Sequence, residues 1–511
     1  MAAKDREFGS FGNTKPVKRR GRLRKLFFLL LIVGGAASVP FLFPEWRDLY
    51  VNFLEKEAPQ IETPNLPAGL GSEGMEFRIA VSDKDSGIDE VVVRAEQNDE
   101  TRELFRKRYS EKQNTDTIVL NIPGKSNATE KDRVFDEGEF RLTVTAFDRS
   151  FWTTPQSATY NIKVDYSKPK IEVLTTQHNA VLGGAEFVFY RVIDSDPSVF
   201  SGVKAGEYLF PGFLAKDLDP EFQSQPNLYF AFFPIPSDFD SERDKIRIFA
   251  RDAVGNIATA GIYYRVANVK FPTRELKLSE QFIRDKVEDL LPKYYALDAK
   301  VNHKRKPIEV AEASTKEELF ERFRLIQSDY RALIERLLAT LYSRPKAAKL
   351  WHGPFSRQAG AAQQAGFGEK RKYSFEGVPL GESTHWGVDL ASTANSTVRA
   401  ANSGIVIFAD DLGIYGNTII LDHGFGLTSL YGHLSSMAVA EGDSVVLGQD
   451  IGRSGNSGFA EGDHLHFEIR LHGIPVRPIE WWDAKWLNDH IDLKIEETKK
   501  ALGISVVKPV A

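Results

Sequence analysis

The sequence predicts a multidomain, mainly β chain: an N-terminal transmembrane helix, two β-sandwich modules, a helical segment and a small antiparallel β domain at the C-terminus. Three observations carry this. An uncharged apolar run, 26–43, follows a strongly basic leader. Apolar and polar residues alternate in several stretches between about 58 and 268. From about 273 to 345 the apolar spacing changes to three and four, before short β segments separated by glycine resume. At 511 residues the chain exceeds one compact core, so several domains are expected. A formal net charge of −5 points to no nucleic-acid partner. The absence of cysteine excludes disulfides, thiolate metal sites, a thiol nucleophile and a lipid-modified cysteine. Any metal site must be built from His, Asp and Glu.

Residues 1–25 hold nine Lys or Arg against two acids and read as a basic cytoplasmic tail. The run from Leu26 to Phe43 spans about 27 Å as a helix, enough for a thin hydrocarbon core. Because basic flanks stay in the cytoplasm, the run is expected to be a single-pass anchor that places everything after Pro44 on the far side. The alternative is a cleaved signal peptide, with Ala36 and Ser38 as the small-residue site. Both readings export the rest of the chain.

The exported part begins with period-two strands, "MEFRIAVSD", "EFRLTVTAFD" and "KIRIFARD". Residues 140–164 parallel 246–266: a strand, a turn containing Asp, then a second strand. A repeat of roughly 105 residues predicts two sandwiches, 58–166 and 167–270, which resemble bacterial immunoglobulin-like modules. Asp83, Asp85, Asp194 and Asp196 read as turn formers rather than calcium ligands. The modules are expected to be spacers or adhesive surfaces, open to protein partners.

Between 271 and 347, Leu319, Phe323, Ile326, Tyr330, Ile334, Leu338 and Leu341 mark one face of a helix. Ser314 and Glu317 offer it a capping box. The segment is expected to pack on a neighbouring domain; a partner-binding or inhibitory role over an adjacent site stays open.

The region 348–490 reads as an antiparallel β domain with tight turns, followed by a tail, 491–511. Five of the ten histidines fall between 385 and 466. They include "HWGVD" (His385 and Asp389), "YGHL" (His433) and "DHLHFE" (His464 and His466). In an extended segment His385 and Asp389 share a face, with Gly387 leaving room between them. His464 and His466 share a strand face in the same way. Two imidazoles and one carboxylate suit zinc with one position open for water. Glu468 reads equally as an acceptor for a ligand imidazole or as an exposed acid. His423 and His472 read as turn or surface residues, and His352 and His490 receive no role.

The texts "GFGEKRKY", "HWGVDLAS", "VRAANSGIVIFA", "YGNTIILDHGFGLTSLYGHLS" and "GDHLHFEIRLHGIPVRPIEWW" resemble the lysostaphin-type (LytM-like) zinc metallopeptidases over about 350–485. These enzymes cut peptide bonds of bacterial peptidoglycan. The resemblance implies one Zn2+ per chain, with His385, Asp389 and His466 as ligands and His433 and His464 as the catalytic pair. Non-enzymatic activators of the family typically lose some of these residues, and all five are filled here. Asp463 stands where many members have proline. The expected function is a zinc metalloendopeptidase acting on peptidoglycan peptide cross-links from the bacterial inner membrane, with its catalytic domain in the periplasm. The alternative is a non-catalytic envelope scaffold or an activator of another hydrolase.

Overall fold

A computed structural model describes residues 47–504, apart from 130, 131, 133, 153, 154, 197, 198, 303–312 and 314. The basic leader, the apolar run 26–43, Ser314 and residues 505–511 lie outside the described residues. Among the described residues no helix is long and apolar enough to cross a membrane. The chain is mainly β and multidomain, and it divides into two compact units after Ser167.

The first unit opens with helix α1 (Arg47–Leu54) and seven strands: β1 (Gln60–Glu62), β2 (Met75–Ser82), β3 (Ile88–Gln97), β4 (Glu100–Arg108), β5 (Thr115–Ile122), β6 (Gly138–Asp148) and β7 (Gln156–Val164). They form two sheets, ordered β1-β2-β5 and β4-β3-β6-β7. Strict alternation on β2 sends Phe77, Ile79 and Val81 inward, where they meet Val91, Val93, Leu142 and Val144. The end of α1 is tied to the turn after β6: Phe151 N donates to Asn52 O at 2.8 Å, and Trp152 Nε1 to Phe53 O at 2.8 Å.

The second unit starts with β8 (Lys170–Val173), β9 (His178–Val181), β10 (Ala185–Ile193), β11 (Phe200–Ala205), β12 (Tyr208–Pro211), β13 (Phe213–Leu214), β14 (Leu228–Pro234), β15 (Ile246–Arg251), β16 (Ile257–Gly261) and β17 (Tyr264–Ala267). Its sheets, β13-β14-β10-β8 and β12-β11-β15-β16, contain the strand order of the first unit, with β13 and the parallel pair β17-β9 added. β10 is apolar almost throughout because both its faces are buried. Val188 and Tyr190 face the module's own core. Phe187 and Phe189 join Phe230 and Phe232 of β14 in a second core shared with the C-terminal domain. Phe230 meets Phe425 edge-on at 4.8 Å. One face of region 348–490 therefore shares its core with 167–270.

The segment expected to be purely helical begins as a strand, β18 (Thr273–Lys277), parallel to β20 (Glu369–Phe375). Helix α2 (Glu280–Val301) follows, capped by Ser279 and continuing through Pro292. Thr315 caps α3 (Lys316–Leu325): its hydroxyl accepts from Glu318 N at 3.1 Å. A π-helical turn, 326–330, links α3 to α4 (Arg331–Leu341). It absorbs the run of four-residue spacings from Ile326 to Leu338, which a regular 3.6-residue helix would let drift. All the named apolar positions up to Leu338 are buried; Leu341 is only partly so.

The C-terminal domain adds β19 (Ala362–Ala365), β21 (Val378–His385), β22 (Val388–Ala391), β23 (Thr397–Arg399), β24 (Gly404–Asp411), β25 (Asn417–Gly424), β26 (Leu427–Leu434), β27 (Ser436–Met437), β28 (Ser444–Val445), β29 (Asp450–Arg453), β30 (Leu465–Leu471) and β31 (Ile474–Val476). The main sheet runs β19-β22-β30-β26-β25-β24-β28, with β31 on β30; β18-β20-β21 and β23-β29-β27 form smaller sheets. One face of the main sheet packs Leu421, Tyr431 and Phe467 into the core shared with β10 and β14. The other packs Ile420, Leu430 and Tyr415 against α3 and α4. The expected tail contains a helix, 493–501, whose Lys499 pairs with Asp219 at 2.5 Å and Glu221 at 2.7 Å.

Candidate metal centre and active site

His385 ends β21 and Asp389 lies in β22, so they are not on one continuous strand; the chain breaks at Trp386 and Gly387. They converge because β22 pairs with β30, placing Asp389 directly opposite His466. Gly387 does more than leave space. A Cβ there would lie 2.5 Å from Phe467 O and 2.8 Å from His466 Cε1. Gly387→Ala is therefore expected to displace the His466 ring and weaken zinc binding by about 10–100-fold, the range seen when supports of metal ligands are lost. Competition with a chelator measures this, and unchanged affinity would contradict the packing argument.

Three atoms meet at one point. His385 Nε2 is 2.8 Å from Asp389 Oδ1 and 3.0 Å from His466 Nδ1, and His466 Nδ1 is 2.9 Å from Asp389 Oδ1. All three residues are buried. The outer nitrogens fix the tautomers. His385 Nδ1 faces Gly366 O at 2.9 Å and His466 Nε2 faces Glu468 Oε1 at 2.8 Å, and neither oxygen can donate. Each outer nitrogen therefore carries a proton, which leaves the inner nitrogens as the positions a metal would take. Two inner imidazole nitrogens and a carboxylate oxygen at such distances need a proton or a cation among them. Tetrahedral zinc with bonds of 2.0–2.1 Å spaces its donors about 3.3 Å apart, slightly wider than this triangle. The residues fit the metal.

The surroundings hold the donors in place. Arg371 donates to Asp389 Oδ2 at 2.8 Å and to Glu369 at 3.0 Å. Glu468 is fully buried, not an exposed acid: it accepts from His466, from Tyr415 Oη at 2.9 Å and from Arg470 Nε at 2.6 Å. Arg470 also binds Glu335 of α4 at 2.8 Å, so the helical segment reaches the ligand shell. Burial opposes a charge on Glu468, but Arg470 and His466 outweigh it and hold the carboxyl below its usual range.

Without a metal, burial disfavours a charge on His466, yet its hydrogen bonds to Asp389 and Glu468 prevail and push its pKa up to about 9. Zinc must displace that proton from Nδ1. Below about pH 9 each binding event releases it, so zinc affinity is expected to rise about tenfold per pH unit between about pH 6 and 8. Calorimetric titration in buffers of different ionisation enthalpy reads the proton directly; a pH-independent affinity would contradict the assignment.

His433 and His464 stand beside the triangle. Their ring centroids are 4.9 Å apart, and His433 is 5.6 Å from His466. Regular alternation would place His433 with Tyr431 in the core. Instead His433 has φ 61° at an irregularity of β26, which turns the ring toward the ligands. Its Nδ1 donates to Ser457 O at 2.8 Å, which leaves its Nε2 free, and His464 Nδ1 donates to Gly462 O at 2.7 Å, with its Nε2 turned toward Asp389. Burial, reinforced by the neighbouring His464 and His466, holds His433 well below the usual imidazole pKa, hence neutral. His464 Nε2 lies 3.5 Å from Asp389 Oδ1. Asp463 accepts from Ser454 Oγ at 2.6 Å and Asn395 N at 2.9 Å, fastening the turn before His464.

The site opens into a groove bounded by Arg274, Leu276 and Phe282 on one side and Gln364, Phe459 and Glu461 on the other. β18 and the start of α2 thus form a wall, held where Lys286 Nζ donates to Gly458 O at 2.8 Å. His423 is neither a turn nor a surface residue: it lies in β25, fully buried between Ser403 O and Ser429 Oγ. His472 lies in a turn, as expected, with φ 51°, half-buried and donating to Phe232 O. The burial of His423 comes from the sheet itself, which local sequence does not reveal.

Residues 383–478 match Peptidase family M23. Over 95 residues the chain is 41% identical to the DD-carboxypeptidase/endopeptidase Mpg of Neisseria meningitidis serogroup B, covering 19% of this chain and 22% of that one. It is 35% identical over 96 residues to the peptidoglycan DD-endopeptidase ShyA of Vibrio cholerae serotype O1, covering 19% and 22%. It is 38% identical over 96 residues to a lipoprotein NlpD/LppB homolog of Pseudomonas aeruginosa, covering 19% and 32%. The chain thus spans between about a fifth and a third of the length of these curated relatives.

Proposed function

With an M23 peptidase domain at the C-terminus of the chain as the premise, we propose that this protein is a zinc metalloendopeptidase that hydrolyses peptide cross-links of peptidoglycan. The observation that carries this reading is the convergence of two imidazole nitrogens and a carboxylate oxygen, with two further imidazoles beside them. A bound zinc ion supplies Lewis acidity at that point. The chain's own residues do the rest. His385, Asp389 and His466 hold the ion, and Arg371 and Glu468 hold the ligands. His433, neutral and with Nε2 free, takes the proton from the attacking water. His464, at the groove side, would stabilise the developing oxyanion in its protonated form, and the proton that His433 took would pass to the leaving amine.

The substrate class draws support from the relatives whose names state DD-carboxypeptidase or DD-endopeptidase activity. The basic leader and apolar run support anchoring in the inner membrane, with the catalytic domain facing the wall. A second reading is a non-catalytic activator of another hydrolase; one relative is named as a lipoprotein and not as a peptidase. Purified sacculi separate the two. The zinc-loaded chain alone should convert cross-linked muropeptides to monomers, read by mass spectrometry; an activator alone leaves the cross-linked fraction unchanged.

A further inference from the structure

Three carboxylates converge in the first unit, which holds no residue of the peptidase site. Glu55 follows α1, Asp83 follows β2 and Asp148 ends β6, and one oxygen from each lies within 4.8 Å of the others. All three residues are at most 7% exposed. Part of this is turn chemistry, as the sequence suggests for Asp83. Its Oδ1 accepts from Gly87 N at 2.6 Å, Glu55 Oε2 from Ser86 N at 2.7 Å, and Asp148 Oδ1 from Ser150 N and Oγ at 3.1 and 2.8 Å. Turn bonds do not explain why three acids share one buried spot. Burial raises the pKa of Glu55 and Asp83, and neighbouring carboxylates add to the rise against those hydrogen bonds. Among the described residues no Lys or Arg forms an ion pair with any of the three.

A second observation does not depend on charge. Ser86 is 1% exposed, and its hydroxyl sits beside the Glu55 carboxylate, yet Oγ makes no hydrogen bond of acceptable geometry. Buried polar oxygens are normally satisfied. Here the Ser86 oxygen stays unpaired beside the Glu55 carboxylate, as a neutral ligand in a cation's coordination shell would.

We propose that Glu55, Asp83 and Asp148 bind a calcium ion, with Ser86 Oγ as a neutral ligand, and that the ion clamps the residue after α1 onto both sheets of the first module. The donors are all oxygen, which selects a hard cation. Calcium takes six to eight such ligands in flexible geometry, whereas magnesium keeps most of its waters and uses one or two carboxylates. Asp83 lies at the end of a β1-β2-β5 strand and Asp148 at the end of a β4-β3-β6-β7 strand, so the ion bridges the two sheets. α1 starts just beyond the apolar run 26–43.

The test uses the full-length chain in detergent, freed of calcium with EGTA. Equilibrium dialysis with calcium chloride should find about one ion per chain, half-saturating at about 0.1–1 mM, as in extracellular modules. Calcium should raise an unfolding temperature, and magnesium chloride at the same concentration should not. Asp148→Asn, nearly isosteric, should weaken calcium binding at least about tenfold. Its unfolding without calcium should match or exceed the wild type, because one repelling charge is gone. Glu55→Gln provides a second variant with the same expectation. His466→Ala should bind calcium like the wild type, keeping the peptidase site out of the result. Absence of calcium binding at about 5 mM, an equal response to magnesium, undiminished binding by both carboxylate variants, or loss of binding in His466→Ala would each overturn the assignment.

Discussion

Replacing His466 with alanine is expected to give a folded chain that holds no zinc and releases no muropeptides. His466 Nδ1 is one corner of a triangle whose other corners are His385 Nε2 and Asp389 Oδ1. Removing it leaves two protein ligands, fewer than the three that catalytic zinc sites hold. Loss of a supporting residue costs about 10–100-fold, and loss of a ligand should cost at least about a thousandfold in affinity. The fold should survive because the substitution strands no charge. Glu468 keeps Arg470 at 2.6 Å and Tyr415 at 2.9 Å, and Arg470 keeps Glu335. Leu465 and Phe467 still anchor β30 in its core. Zinc per chain by elemental analysis, circular dichroism and muropeptide release on one preparation decide the matter. Zinc at the wild-type level would remove His466 from the ligand set.

Much of this centre is legible in the sequence, for physical reasons that also set the limit. Strand alternation puts His464 and His466 on one face, and "HWGVD" brings an imidazole and a carboxylate together across a two-residue break. The supports are less visible. Arg371 and Asp389, or Glu335 and Arg470, lie 18 and 135 residues apart and meet only through sheet pairing and helix docking. Glu468 shows the same limit from within one strand. Alternation alone leaves its side facing either solvent or protein, and α3 and α4, which pack on that face of the sheet, decide it. Likewise "AEFVFYRVI" departs from the polar alternation of its counterpart "MEFRIAVS" because β10 is covered on both faces. That departure is the sequence trace of the core shared between the second sandwich and the peptidase domain. The order of paired strands in the first unit recurs at the start of the second.

His433 carries the second large effect, on rate and not on metal. His433→Ala should lower kcat by about 10²–10⁴-fold, the usual range for a lost general acid or base, while zinc stays near one per chain. The geometry separates these readouts. His433 Nδ1 is occupied by Ser457 O, and its ring stands 5.6 Å from the His466 ring, outside the triangle of donors. Its neutrality, enforced first by burial and then by the adjacent His464 and His466, lets it accept a proton at pH 7. One complication is backbone strain. At φ 61° alanine is disfavoured by about 1–2 kcal/mol, so His433→Ala confounds lost chemistry with a shifted β26. Asparagine tolerates that conformation far better and cannot serve as a base at neutral pH. His433→Asn should therefore match alanine in kcat while unfolding at nearly the wild-type temperature. If asparagine restores the rate, His433 acts through the backbone it shapes; if either variant loses zinc, it belongs to the ligand shell. Equal loss of kcat with zinc retained leaves proton transfer as its contribution.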